Sequence, residues 1–433
     1  MGASGLASHI LVSTVPGAHL ATWGIAALAT LGIILRPFAW PEAVWAVLGA
    51  AALVALGLIA PASAWAGVLK GTDVYLFLVG MMMLSEIARK EGLFDWLAGI
   101  AVRQARGSAT RLFTLVYLVG VVVTVFLSND ACAVVLTPAV FAATQAARVE
   151  NPLPYLLICA FIANAASFVL PISNPANLVV YAAHMPPLSE WLARFALPSL
   201  LAVAATYVVL RLTQRRVLAA QTVATDVAAA PLSGTGKLAG LGIVATAGVL
   251  IAASAYGRDL GPPTFVAGLA TTLLVLAIRR GGLVAVAKDV SWSVLPLVAG
   301  LFVLVEALAR TGVLGMLSDA LKGAAATAPA EAAWGAGVLV ALVSNAVNNL
   351  PAGLIAGAAV QASDVSERVA GAILIGIDIG PNLSVTGSLA TILWLTAIRR
   401  EGLDVGAWSF LKLGILVMPP ALLLALGGLL LVP

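Results

Sequence analysis

The stretch 80-GMMMLSEIARKEGLFDWL-97 is written a second time as 300-GLFVLVEALARTGVLGML-317, an offset of 220 residues. Gly80 meets Gly300, Glu86 meets Glu306 and Gly92 meets Gly312. The same offset lays 21–35 over 241–255 and sets Asn129 over Asn349. Further on, 164-NAASFVLPISNPANL-178 lies over 378-DIGPNLSVTGSLATI-392 at an offset of 214. Identities are few, but the elements follow in the same order, and a fixed long period is the mark of a duplicated unit.

The unit belongs in a membrane. Of the 433 residues 61% are apolar and only 10% are charged, whereas soluble domains carry about 25% charged residues. Runs such as 43-AVWAVLGAAALVALGLIA-60 and 413-LGILVMPPALLLALGGLLLVP-433 recur, each close to the ~20 residues that cross a hydrocarbon core as helix. The runs do not alternate, which excludes a transmembrane barrel. The first twenty residues lack the basic start of a cleaved signal peptide and read as a short N-terminal tail.

Charge placement sets the topology. Seventeen of the 23 Lys and Arg gather at Arg36, 89–90, 103–111, Arg148, 211–237, 279–288 and 399–412. Lys70, Arg194, Arg258, Arg310, Lys322 and Arg368 stand apart. Putting the first group in the cytoplasm satisfies the positive-inside rule and places the N-terminus outside. It also requires two re-entrant hairpins, about 112–146 and about 331–362, that enter and leave on one side. If each segment simply crossed, Arg148 and the basic central linker would lie outside.

Each half then has five spans and one hairpin. Five is odd, so the second copy is inverted relative to the first. The expected fold is an all-α polytopic membrane protein with two inverted-topology repeats, about 10 transmembrane helices, two hairpins and broken helices at the midplane. The repeats are residues 1–212 and 238–433, joined by a cytoplasmic linker at 213–237. Their broken helices lie at about 154–183 and about 368–398. Inverted repeats with discontinuous helices are the architecture of secondary transporters, whose sites form where the breaks meet.

Irregular backbone survives in hydrocarbon only around a protein-lined cavity. Four stretches qualify: 127-LSNDA-131, 344-SNAVNNLPAG-353, 170-LPISNPANL-178 and 380-GPNLSVTGSLAT-391. Their polar side chains are Ser128, Asn129, Ser173, Asn174, Asn177, Asn348, Asn349, Ser384, Thr386 and Ser388. Pro171 and Pro175 on their own would read as ordinary kinks, but a matching break in the other half favours a site. The segments 121–141, 157–181, 337–360 and 371–395 hold no Lys, Arg or His, and their only acids are Asp130 and Asp378. Anion sites recruit Arg or Lys, so the expected cargo is neutral or cationic. A charge at the bilayer centre costs at least ~2.5–3.5 kcal/mol, which marks Asp130 and Asp378 as functional groups able to bind and release protons. Helix capping is the alternative role.

Other residues carry weaker signals. Glu86 and Glu306 lie near the ends of their spans, within reach of Arg89 and Arg310. Cys132 and Cys159 are the only cysteines, so neither a disulfide framework nor a zinc site is implied. Cys132, one turn from Asn129, is either a small buried hydrophobe or a contact for a thiophilic ligand. His9, His19 and His184 carry no assignment. The chain lacks a Walker-type phosphate loop, so it is not expected to hydrolyse ATP.

With these residues in hand, the sequence resembles the bacterial arsenite/antimonite efflux pump family, the arsenical pump membrane proteins of the ion transporter superfamily. The resemblance covers most of the chain and is sharpest in 345-NAVNNLPAGL-354 and 376-GIDIGPNLSVTGSLATILWL-395. The tip 128-SND-130 followed by Pro138 matches a pattern shared across the superfamily. The resemblance implies a bacterial inner-membrane antiporter without an enzymatic activity of its own. It would expel arsenite, and antimonite, as neutral trihydroxide in exchange for protons, and so confer arsenical resistance. Arsenic(III) would be cargo only, with no cofactor and the proton gradient as energy source. The ten polar residues above would surround the cargo, Asp130 and Asp378 would carry protons, and Cys132, Glu86 and Glu306 are secondary candidates. Members of the family work alone or with a cytoplasmic ATPase subunit. Sodium/proton antiporters and carboxylate carriers of the same superfamily are the rival readings.

Overall fold

In hydrocarbon each backbone N–H and C=O must find an internal partner, and a chain this rich in Ala, Leu and Val meets that demand as helix. The computed structural model describes residues 16–181, 185–225, 231–280 and 283–432. Apart from one isolated bridge, the regular structure among the described residues is helical. His9, His184 and most of the N-terminal tail lie outside them, as do 182–183 of the first broken helix and 226–230 of the linker.

The order of elements runs twice. The first half contains helices Pro16–Leu35, Glu42–Ala55, Pro61–Lys70, Thr72–Lys90, Leu93–Ala105, Ala109–Phe126, Thr137–Ala146, Leu153–Ala165, Pro175–Val180 and Leu188–Ala220. The second contains Gly234–Ala255, Gly261–Arg279, Leu283–Ala287, Val294–Arg310, Val313–Thr327, Pro329–Val347, Asn349–Ser363, Glu367–Ile379, Leu389–Arg400 and Ala407–Leu431.

The halves exchange contacts reciprocally. Helix Thr72–Lys90 packs on Gly261–Arg279, and its counterpart Val294–Arg310 packs on Glu42–Ala55. Both crossings rest on a repeated glycine. A Cβ on Gly80 would fall onto the Thr264 carbonyl, and one on Gly300 would fall 2.7 Å from the Ala46 carbonyl carbon. Small residues let membrane helices approach backbone to backbone, which is why this pair of glycines recurs. Helices Leu188–Ala220 and Ala407–Leu431, also counterparts, lie against each other.

Cross-contacts sort the loops into two ends. At one end Glu91 accepts from Arg279 at 2.9 Å and from Thr235, Lys90 pairs with Asp289 at 2.8 Å, and Ser108 bridges to Thr222. At the other end Lys70 pairs with Glu306 at 2.7 Å, Asp73 accepts from Gly261 N at 2.7 Å, and Arg194 pairs with Glu367 at 2.6 Å. Arg368 there reaches the Val432 carbonyl at 3.0 Å. The clustered basic residues gather at the first end and most of the scattered ones at the second. Helix Pro16–Leu35 starts at the second end, where Trp23 donates to Thr311 at 2.8 Å. Its counterpart starts at the first end, beside Glu91. The second copy is inverted.

The segment 109–146 is a hairpin. Ser108 at its start bridges to Thr222, and Ala147 at its close accepts from Ala224 N at 2.9 Å. One short extended stretch therefore holds both ends, so the chain leaves where it entered. Helix Leu93–Ala105 lies against both limbs, as Val313–Thr327 lies against both limbs of 329–363. Among the described residues, seven helices are long and apolar enough to cross alone, or up to nine if the pairs bent by 49° at Gly71 and 75° at 311–312 each count as one. That criterion admits the first hairpin limbs Ala109–Phe126 and Pro329–Val347 and omits both the broken helices and the shorter Glu42–Ala55, which complete the five spans of each half.

The linker is shorter than the expected 213–237. Leu188–Ala220 continues as helix through its first residues and Gly234–Ala255 takes its last. The physical reason is that Arg, Gln, Leu and Ala in 211–220 are strong helix formers once a helix has been started.

Candidate transport site

At the first hairpin tip the backbone breaks at Ser128, whose hydroxyl accepts from Ala131 N at 3.2 Å. Asn129 accepts the Asp130 N–H on its side-chain oxygen at 2.9 Å. A π-helical turn, Cys132–Leu136, follows, and Thr137 donates to the Cys132 carbonyl at 3.3 Å. Such turns re-aim side chains within a helix. At the second tip Asn348 has φ 72° and ψ 151°, a strained conformation rarely adopted by residues other than glycine. Its side chain accepts from Leu350 N at 3.3 Å and donates to the Thr386 carbonyl at 3.2 Å. Asn349 N donates to the Gly387 carbonyl at 2.8 Å, so the second tip is stitched to the second break.

The tips meet at a cleft. Its outer part, about 640 Å³, runs from Asp130 and Ser128 along Phe77, Leu78, Met81, Met82 and Ser85 to Glu86 and Asp289. An inner part of about 350 Å³ is lined by Asn129, Asp130, Asn174, Pro175, Val298, Asn349, Leu350, Leu389 and Ala390. Leu78, Asp130, Pro175 and Val294 border both. Among the described residues, no Lys, Arg or His lines either part. The cleft opens at the basic end. A separate depression at the other end, lined by Asp73, Tyr181 and Glu367, lies beyond helix Pro175–Val180.

The mouth holds a compact charge cluster. Glu86 is buried and takes two hydrogen bonds from Arg89, at 2.9 and 2.6 Å, while Asp289 pairs with Lys90. Lys90 beside it holds the exposed Asp289 carboxyl below the usual carboxylate range. Glu306, the repeat counterpart of Glu86, pairs with Lys70 and Arg310 at the opposite end and does not touch the cleft.

The ten polar residues expected around a cargo divide into two groups. Eight brace the tips and breaks, seven by bonds to backbone and Ser384 through the Asn345 side-chain oxygen. Besides Ser128 and Asn348, Ser173 donates to the Val125 carbonyl at 3.0 Å. Asn177 donates to the carbonyls of Ser167, Leu170 and Pro171 at 2.8, 3.3 and 3.3 Å. Ser384 and Thr386 bond to Asn345, Ser388 caps the helix from Leu389, and Asn174 caps the helix from Pro175. The remaining two, Asn129 and Asn349, face the cleft with side-chain amides free to donate. Asp130, half-buried, points a carboxylate into the same space.

Asp378 stands elsewhere. Fully buried, it accepts from Asn174 Nδ2 at 2.6 Å, and its second oxygen has no hydrogen-bond partner. Its repeat counterpart Asn164 donates to Asn382 at 3.0 Å and Thr391 at 3.2 Å. Each broken helix thus reaches into the break of the other through the same repeat position. Cys132 lies behind the hairpin, with its thiol donating to the Cys159 carbonyl at 3.6 Å, and both cysteines are fully buried.

Comparison with known proteins gives this architecture a family. Residues 25–379 match the citrate transporter family, CitMHS. The chain belongs to that family. It is also similar to proteins that carry other names. The arsenical pump membrane protein of Yersinia enterocolitica is 27% identical over 362 residues, 81% of this chain and 84% of that protein. The protein of the same name in Escherichia coli is 26% identical over 362 residues with the same coverage. An uncharacterized transporter of Mycobacterium tuberculosis is 27% identical over 373 residues, 82% of this chain and 84% of that one. Among solved structures, the YdaH transporter of Alcanivorax borkumensis, described as having an unusual topology, superimposes with a TM-score of 0.56 at 17% identity and covers 86% of each chain. That likeness concerns the fold alone. In this CitMHS member the clasp residues Asn164, Asn345, Asn382 and Thr391 stand outside the set singled out from sequence. The alignment of Asn164 with Asp378 at an offset of 214 was the signal for the first of them.

Proposed function

We propose that this chain is a secondary antiporter that exports arsenite, and antimonite, as neutral trihydroxides in exchange for protons. One observation carries the reading. The polar end of the cleft offers two free amides and one carboxylate, and among the described residues no cation lines it. A compact neutral solute bearing hydroxyls finds both donors and an acceptor there. A tricarboxylate such as citrate would enter beside Asp130 without a counter-charge, and like charges in a site of low dielectric repel strongly. The printed name of the arsenical pump relatives supports the same cargo.

In this reading Asp130 exchanges its proton directly with the cleft and Asp378 does so at the crossing of the broken helices. The clustered basic end, with the linker between the repeats, faces the cytoplasm of the bacterial inner membrane, and the N-terminus lies outside. The cleft is then open inward, the side from which an efflux protein loads. The side chains holding the cargo bind weakly enough to release it, as transport requires.

The test is uptake of radiolabelled arsenite into everted vesicles containing this chain, with an imposed proton gradient and no ATP. Uptake that collapses with an uncoupler is expected. Competition by citrate would instead favour a carboxylate carrier. Sodium-dependent proton flux indifferent to arsenite would favour a sodium/proton antiporter. Absence of all three would call for an ATPase partner or another cargo.

A further inference from the structure

We infer that Asn174 is a positioning residue that transmits the charge state of Asp378 to the wall of the cleft. The inference rests on the reading above, in which protons are exchanged during transport.

The geometry is a two-ended amide. Asn174 Nδ2 donates to Asp378 Oδ1 at 2.6 Å, and its Oδ1 accepts the Ala176 N–H at 3.0 Å. One side chain therefore joins a fully buried carboxylate of the second half to the first turn of helix Pro175–Val180 in the first half. Asn174 and Pro175 line the inner cleft together with Asn129 and Asp130. Asp378 itself does not reach that space. Any influence it has on the cargo must pass through a neighbour, and Asn174 is the neighbour that touches both.

The electrostatic setting isolates this contact. The Asp378 carboxylate takes its hydrogen bond from Asn174, while Ser167 nearby donates to the Asn164 carbonyl at 2.7 Å. Elements packed on helix Glu367–Ile379 carry Glu331, Tyr155, Cys159, Glu190, Arg194, Tyr207, Arg211, Arg215, Arg216 and Lys412, and the helix itself starts with Glu367 and Arg368. None of these donates a hydrogen bond to Asp378. While Asp378 is ionised, its bond to Asn174 is charge-assisted, and such bonds are about twice as strong as neutral ones. Protonation removes that assistance and loosens the amide that fixes the cap. The cleft wall beside Asp130 slackens with it.

Two substitutions separate this role from simple capping, because Ser and Asp both serve as helix N-caps. Asn174→Ser keeps a cap acceptor but is too short to reach Asp378. Its transport profile is expected to move toward higher pH by about one unit, since the ionised carboxylate has lost its donor. Asn174→Asp keeps the cap and places a second carboxylate against the first, so the two share a proton to higher pH and the profile should move further in the same direction. Uptake in everted vesicles is measured against pH for both variants, for Asp378→Asn and for the unsubstituted chain, with membrane abundance checked by immunoblot. Profiles that only scale in height, with unchanged midpoints, would reduce Asn174 to a cap and overturn the inference. An unsubstituted chain without any pH dependence would instead remove the proton-exchange reading beneath it.

Discussion

Asn164 and Asp378 occupy the same position in the two repeats, and each reaches out of its own broken helix into the break of the other. Asp378 takes a hydrogen bond from Asn174 at 2.6 Å, and Asn164 gives one to Asn382 at 3.0 Å. The crossing is symmetric in geometry and asymmetric in charge. One copy of the repeat holds a neutral amide at this position and the other an ionisable carboxyl.

Asp130 is the acid open to the cleft, so its replacement should act on coupling rather than on folding. Asp130→Asn is expected to lower uncoupler-sensitive arsenite uptake by more than about tenfold, or ~1.4 kcal/mol in barrier terms, with unchanged membrane abundance. Uptake at the original rate would take Asp130 out of the exchange.

The division of polar residues into binding and bracing groups predicts two phenotypes. Asn129→Ala or Asn349→Ala removes one free donor to the cargo, worth about 0.5–1.5 kcal/mol, so the arsenite concentration for half-maximal uptake should rise about 2- to 13-fold. Asn177→Ala strips the side-chain donor from three buried carbonyls, and stability should fall by about 1–3 kcal/mol. Thermal unfolding of the detergent-solubilised protein reads the second effect. Equal thermal stability of the Asn177 and Asn349 variants would contradict the division.

The first hairpin should present both its ends to one compartment. Single cysteines at Arg111 and Arg148, in a chain freed of Cys132 and Cys159, are expected to react with a membrane-impermeant maleimide from the same side. Labelling from opposite sides would mean that the segment crosses. The side that labels also fixes the orientation of the basic end.

Neither native cysteine faces the cleft, since the Cys132 thiol is committed to the Cys159 carbonyl. Cys132→Ser with Cys159→Ser should retain most arsenite export, within about threefold for a small change in a packed site. Complete loss, in protein that still reaches the membrane, would point to thiol ligation of the cargo.

Much of this was legible in the sequence because hydrocarbon allows few solutions. A run of apolar residues must be helix, clustered Lys and Arg report which loops share a side, and an odd number of spans per repeat forces inversion. The hairpins and breaks could be located because Pro, Gly, Ser and Asn in an apolar run are tolerated only where the backbone is irregular. The same rule hid their individual tasks. Ser173, Asn177 and Ser384 look identical to Asn129 and Asn349 in one dimension, since a polar group near a break can serve either the freed backbone or a cargo. Only the tertiary structure decided between them, through which carbonyls each donor could reach. It also separated Asp130 from Asp378, which the sequence offered as equivalent acids. The approach of two helices from different repeats leaves one carboxylate facing open space and seals the other against an amide.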